Sequence, residues 1–341
     1  MKRALSSTLQ KLKQAEEELK GPKPEALYDR LERERPQLEA AMRWFLEHGH
    51  PQRAMELASL VWRFWVNRGH LEEGRSLMKA ALQASSSDEQ TPLRADALHG
   101  AGTLAFQQGD NESAHAHFEQ SLSIGRRLAK TDAIVRALHG LGRVALRKGD
   151  YAEVRKLSNE AMTLARTSGD RELLTSPLHM LAAVSRMEGD YQGAAAFYRE
   201  SIEVNQSLGN VRRVTMELIN LGSVEFLSGN LDKAAEFYTE GLSKAYDLGD
   251  RYLLPVPFIG LGGVAAARGD GVRAARLLAI GEGLEEAAGS VLDPDDRPIF
   301  DRSVEAARTA TDPKTFTTAW AEGRAMPVER AFEYALFGKG I

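Results

Sequence analysis

The chain has 341 residues, 43% of them hydrophobic and 27% charged, with a formal net charge of −4 and no cysteine. That composition is ordinary for a globular protein. It excludes disulfide and thiolate chemistry and provides no bulk attraction to nucleic acid. No apolar run reaches the length of about 18 residues that a membrane-spanning helix needs.

The chain opens with residues 1–21, where Leu5, Leu9, Leu12, Ala15 and Leu19 follow one stripe. This predicts an amphipathic helix rather than a secretory leader, because no apolar stretch follows the basic start. Trp44, Trp62, Phe64 and Trp65 come next at helical spacing. Such rings can clamp a sugar or a base, but this spacing favours a core role.

From there a period governs the chain. Glycine recurs at Gly69, Gly109, Gly149, Gly189, Gly229 and Gly269, each 40 residues after the last. Each is followed by a turn-favouring residue: His70, Asp110, Asp150, Asp190, Asn230 and Asp270. A fixed period of this size means stacked copies of one supersecondary unit. In the copy that begins at Ala137, Leu138, Leu141, Val144 and Ala145 make one amphipathic helix. Gly149 ends it and Asp150 caps the next, which runs through Val154, Leu157, Ala161, Met162 and Leu164 to a turn at Gly169 and Asp170. Small residues recur at Gly102, Gly142, Ala182, Gly222 and Gly262, and at Ala114, Val154, Ala194, Ala234 and Ala274, where helices are expected to approach closely.

Ser85, Ser86 and Ser87 read as a short polar linker before a helix start at Pro92. After about residue 288 the period fails. Asp293 is the expected N-cap and Pro294 the first position of three closing helices near 294–310, 313–323 and 327–337, with Phe316, Trp320, Phe332 and Tyr334 covering the end of the stack. The expected organisation is therefore residues 1–90 as atypical helices with a first repeat, 91–288 as regular repeats, and 289–341 as a cap.

Leu141, Gly142, Gly149, Tyr151, Val154 and Ala161 resemble the pattern of the tetratricopeptide (TPR) repeat, lengthened from 34 to 40 residues. Repeats of this length look like those of the C-terminal regulatory arm of bacterial STAND-type ATPases and LuxR-type transcriptional regulators, the MalT-like arm. The segments LYDRLERERPQLEAAMRWFLEHG and FTTAWAEGRAMPVERAFEYAL are similar to the two ends of that arm. The resemblance implies an all-α, right-handed α-α superhelix. No G-x-x-x-x-G-K-[ST] loop occurs, and only FGKGI follows Leu336, so the expectation is an arm without ATPase and DNA-binding modules.

The TPR register further implies a concave groove lined by one face of each first helix. That face carries Asp96, His99, Thr103, Phe106 and Gln107, then Arg136, His139, Arg143, Leu146 and Arg147. Ser176, His179, Ala183, Arg186 and Met187 follow, then Met216, Ile219, Ser223, Phe226 and Leu227, and finally Val256, Ile259, Gly263, Ala266 and Ala267. The expected contact residues are His99, Thr103, Phe106, Arg136, His139, Arg143, Arg147, His179, Arg186, Met216, Ile219 and Phe226. His99, His139 and His179 form a ladder one repeat apart, either facing a ligand or packing beside the neighbouring glycines. Zinc needs nitrogens at about 2 Å, and successive repeats stand about 8–10 Å apart, so the ladder is not a metal site. His115 and His117 point to different sides of one helix. Residues 260–263, G-L-G-G, lie mid-helix and are a packing feature. Asp295 and Asp296 read as helix-start residues.

No catalytic constellation is legible. The expected function is non-catalytic recognition without a cofactor: the sensor or adaptor arm of a bacterial signalling or transcription regulator, or a scaffold that captures a peptide or helix. The expected partner is a protein, a peptide or a small-molecule effector in the groove, with neither nucleic acid nor membrane bound directly. A cytoplasmic location and self-association through the ends complete the expectation.

Overall fold

The computed structural model of the protein describes residues 25–86, 90–288, 292 and 296–338. The helix expected over 1–21 and the helix start expected at Asp293 and Pro294 lie outside them. Among the described residues there are sixteen α-helices, one short 3-10 turn and no strand. No helix among them is long and apolar enough to cross a membrane.

Contacts divide the chain into two units, Met1–Met180 and Leu181–Ile341. The first holds α1 (Glu25–Glu47), α2 (Pro51–Arg68), α3 (Leu71–Ala84), α4 (Pro92–Gln107), α5 (Asn111–Arg127), α6 (Thr131–Arg147) and α7 (Tyr151–Ser168). The division falls inside α8 (Thr175–Met187). The second unit continues with α9 (Tyr191–Ser207), α10 (Val211–Leu227), α11 (Leu231–Leu248), α12 (Pro255–Ala267) and α13 (Gly271–Ala288). It closes with α14 (Arg297–Thr309), α15 (Pro313–Arg324) and α16 (Val328–Phe337), close to the three helices expected from the sequence.

The turns follow the periodic signal. Asp110, Asp150, Asp190 and Asp270 each accept a hydrogen bond from the backbone N–H three residues on, at 2.9–3.1 Å. Such caps satisfy an orphan donor at the helix start and contribute about 1 kcal/mol each. The glycines before them adopt left-handed backbone, with φ from 73° to 82°. A second series of turns, half a period away, uses Gly169, Gly209 and Gly249 in the same conformation. Ala129 occupies that position one repeat earlier, at φ 51°, and is the one non-glycine among the described residues to do so.

The first helix of each repeat packs on its own second helix and on its neighbours: α4 on α5 and α6, α6 on α7, α10 on α11 and α12, and α12 on α13. Small residues on the first helices make room for a ring from the second. The Phe118 ring of α5 is 1% exposed and fits against Gly102 of α4 and Gly140 of α6, where an added Cβ would lie 2.7 and 2.6 Å from ring carbons. Three repeats later, Tyr238 of α11 does the same between Gly222 of α10 and Gly260 of α12, at 2.7 and 2.2 Å. Each such ring adds roughly 1.5–3 kcal/mol of burial. Ser158 stands at this register position in α7, and there the Met180 methyl faces Gly142 at a relaxed 3.4 Å.

These distances set up opposite expectations for one substitution. Gly260→Ala drives a methyl into a rigid, buried ring and should lower the unfolding free energy by about 1–3 kcal/mol. Gly142→Ala meets only the flexible end of Met180 and should be neutral or stabilising by up to about 1 kcal/mol, from helix propensity alone. Urea unfolding of the two variants checks this; equal losses would contradict the ring-insertion account.

Candidate functional site

The first-helix face of the first unit is built from α2, α4 and α6. His99 of α4 is half-buried between the Trp62 ring of α2, at 5.8 Å between centroids, and the Phe118 ring, at 5.5 Å. Its imidazole is held far down, at about 3 against an ordinary 6.5, by burial first and then by the charges of Arg136, Arg63 and Arg143. Three guanidiniums on two helices therefore converge on one neutral ring.

Each of these arginines also sits against an aromatic ring or a carboxylate. Arg63 lies over the Trp62 ring at 4.4 Å. Arg143 and Arg147 both lie over the Phe106 ring, at 4.2 and 3.5 Å. Arg147 donates to the Phe106 carbonyl at 2.7 Å and to Asn111 Oδ1 at 3.2 Å, which locks its direction. Arg136 pairs with Asp96 at 2.5 Å and with Asp132 at 3.2 Å. Beside that pair opens a cavity of about 170 Å³ lined by Asp96, Lys130, Asp132 and Arg136 with apolar neighbours. The face is thus polarised, with carboxylates at the start of α4 and α6 and guanidiniums on rings toward their ends.

The sequence-predicted residues divide between the two units. In the first unit the fold brings His99, Arg136 and Arg143 together, and Phe106 with Arg143 and Arg147. Thr103 is 5% exposed and its hydroxyl donates to the His99 carbonyl at 3.0 Å, so it serves its own helix. His139 and His179 are half-buried at the same register. Trp62 and Arg63 had no place in the expected site, although the signal was present: Arg63 precedes Thr103 by one period and Arg143 by two. Of the early aromatic cluster, Phe64 and Trp65 are core at 0% and 2% exposure, whereas Trp44 and Trp62 are only partly buried.

In the second unit the corresponding residues are used internally. Arg186 of α8 donates to Asp296 at 3.2 Å, with side chains only 3% and 11% exposed. Burial alone would lower the Arg186 guanidinium, but Tyr198, Asp296 and Tyr238 around it turn its shift upward, so the ion stays charged. Asp296 is the N-cap residue of α14, a helix-start residue as read from the sequence, but its side chain makes no cap bond and pairs with Arg186. Ile219 packs on Gly241, and the Phe226 ring lies by Gly263, opposite Ser303 of α14. Met216 and Phe226 both pack against the buried cluster of α11, α12 and α16. Among the described residues there is no group of three or more His, Asp or Glu side chains placed to hold a metal ion.

The family model of the tetratricopeptide repeat matches residues 67–127 and 133–207. No curated protein matches the chain significantly. Among solved structures the chain is similar to a Rap protein complexed with competence and sporulation factor, at 14% identity over 95% of this chain and 100% of that one, with a TM-score of 0.59. It is similar also to the Rap conjugation gene regulator of the plasmid pLS20 in complex with the Phr* peptide, at 15% identity over 80% and 78% of the two chains and a TM-score of 0.55. A third is aspartyl phosphate phosphatase F from Bacillus subtilis, at 13% identity over 81% and 72%, with a TM-score of 0.54. At such identities the likeness establishes the fold: the protein carries TPR-type repeats in an all-α solenoid.

Two measurements test the site. Removing one partner of a buried pair strands the other, so Arg186→Met should cost about 3–5 kcal/mol in unfolding free energy. The double variant with Asp296→Leu should recover most of that loss, and a double variant as unstable as the single one would contradict the assignment. For His99, the unfolded chain takes up a proton below about 6.5 that the folded protein refuses until about 3. Stability is therefore lost as the pH falls through that window and is unaffected above it. Urea midpoints should drop more steeply toward acid for the parent than for His99→Gln, and parallel slopes would refute a neutral buried imidazole.

Proposed function

We propose that the protein is a non-catalytic TPR-type interaction module that binds a peptide or helix of a partner protein along the first-helix face of α2, α4 and α6. The observation that carries this reading is the cluster around His99 in which guanidiniums lie over the half-buried Trp62 ring and the buried Phe106 ring on the first-helix face. Rings supply contact area at low entropic cost, and guanidiniums supply directed donors. This combination recognises surfaces; it contains no nucleophile paired with a base, which acyl or phosphoryl transfer would require.

On the sequence resemblance, the module is the sensor or adaptor arm of a bacterial signalling or transcription regulator and works in the cytoplasm. Two of the similar solved structures are Rap proteins in complex with a factor or peptide, which supports peptide capture for this chain as well. Binding changes the small rotation between successive repeats, and such changes add along a stack.

The test is an affinity pull-down from source-cell lysate with a folded variant carrying His139→Ala and Arg143→Ala as the control. A protein enriched by the parent and lost from the variant is the expected result. Identical recovery by both would dismiss this face as the binding surface, and no enrichment at all would shift the reading to a small-molecule effector.

A further inference from the structure

We infer that α14 is an intramolecular ligand: it covers the first-helix face of the second unit and detaches from it as one helix while the repeats stay folded. It holds this place whatever the first unit binds. Its path sets it apart from the other closing helices. α15 packs on α13, and α16 on α11 and α13, which covers the end of the stack. α14 packs on α12 and α13, but its start reaches back to α8, where Asp296 pairs with Arg186. Further along, Ser303 stands over Gly263 of α12 beside the Phe226 ring of α10. Phe300 and Ala307 join Ala265 and Ala266 of α12 in one buried cluster. Arg186, Phe226 and Ala266 hold the same register position in three successive repeats. One helix thus reaches three consecutive first helices. Docked, it leaves the Arg186 and Asp296 side chains 3% and 11% exposed, so nothing else reaches that end of the face. Lifting it uncovers Arg186, Phe226 and Gly263.

Both surfaces are shaped for this contact. The register position of Gly263 carries Thr103, Arg143 and Ser223 in other repeats. On α12 it is bare, and an added Cβ would lie 2.8 Å from Ser303 Oγ and 3.1 Å from the Phe226 ring. A side chain there would hold α14 away. α14 presents one buried stripe at helical spacing behind Asp296: Ile299, Phe300, Ser303 and Ala307. The same design makes the helix separable. α12 buries eleven of its thirteen residues, whereas α14 buries four of its thirteen. Arg297 donates to Asp301, Arg302 to the Pro298 carbonyl and Ser303 to the Ile299 carbonyl, all within α14. The helix keeps these bonds when it leaves. Elements with little buried apolar surface open below the free energy of global unfolding. The Arg186–Asp296 pair is the latch, because a buried guanidinium that loses its carboxylate favours any state that returns it to water.

The chain has no cysteine, so one engineered thiol reports on its own burial. Ser303→Cys places it under α14 and Thr215→Cys in the core of α10, at positions 3% and 0% exposed. In native buffer, dithionitrobenzoate should react at least about tenfold faster with the first than with the second, since the first needs only α14 to lift. Adding Asp296→Asn should speed the first by about tenfold more and change the second by less than about twofold. Hydrogen exchange on the unaltered chain, read by mass spectrometry, should show α14 amides exchanging ahead of those of α12 and α13. Equal thiol rates, or α14 amides exchanging together with those of α12, would overturn the inference and make α14 a fixed part of the core. Equal acceleration of both thiols by Asp296→Asn would overturn it as well. The pull-down reads the first unit and these rates read the second, so either can fail alone.

Discussion

Two pairs of neighbouring first helices, α4 with α6 and α10 with α12, are held at their spacing by an aromatic ring lodged between glycines. Phe118 fills the space between Gly102 and Gly140, and Tyr238 that between Gly222 and Gly260, so closely that no Cβ fits on either side. A ring in such a slot tolerates neither a larger neighbour nor a gap, because protein interiors are close-packed and bistable rather than deformable. The distance between consecutive first helices is therefore fixed by the ring and not by the helices themselves. The residues displayed by α4 and α6 inherit that spacing, and it brings Arg136 and Arg143 of α6 to His99 of α4.

The two units put equivalent register positions to different use. In the second, Arg186 is buried against Asp296, and Ile219 and Phe226 are absorbed into packing. A buried ion pair of this kind contributes little net stability but penalises any arrangement that separates it, so it specifies where the segment leading into α14 sits. In the first unit, the half-buried Arg143 and the exposed Arg147 lie over the buried ring of Phe106. Equivalent stretches of the repeat thus hold a buried ion pair in one unit and ring-stacked guanidiniums in the other.

Much of this organisation was legible before any coordinates. The 40-residue glycine period, the aspartate caps, the helix start at Pro92 and the three closing helices all appear close to where the pattern puts them. Other features had no local sign. Ser158 stands where Phe118, Tyr198 and Tyr238 stand in other repeats, and Met180 from the following repeat faces Gly142 there. Asp296 stands at the helix start as its sequence position implies, but its pairing with Arg186 does not show locally. Trp62 reads as core from its helical spacing, and Arg63 carries no expectation, although the period reaches both.

The division has a physical basis. Caps, turns and amphipathic stripes are short-range: each depends on residues within a few positions, so a repeat writes them into the sequence at a fixed interval, and the residues themselves determine them. Even Ala129, which adopts left-handed backbone without being glycine, is dictated by its place in the turn series. Which ring enters which slot, which arginine meets the carboxylate 110 residues away and which stays stacked on Phe106 are long-range outcomes. They depend on side-chain volume and burial summed over several helices, quantities that exist only once the repeats have stacked. The amino-acid sequence determined the repeat and its helices; the tertiary structure decided which charges would be buried in a pair and which would stack on an aromatic ring.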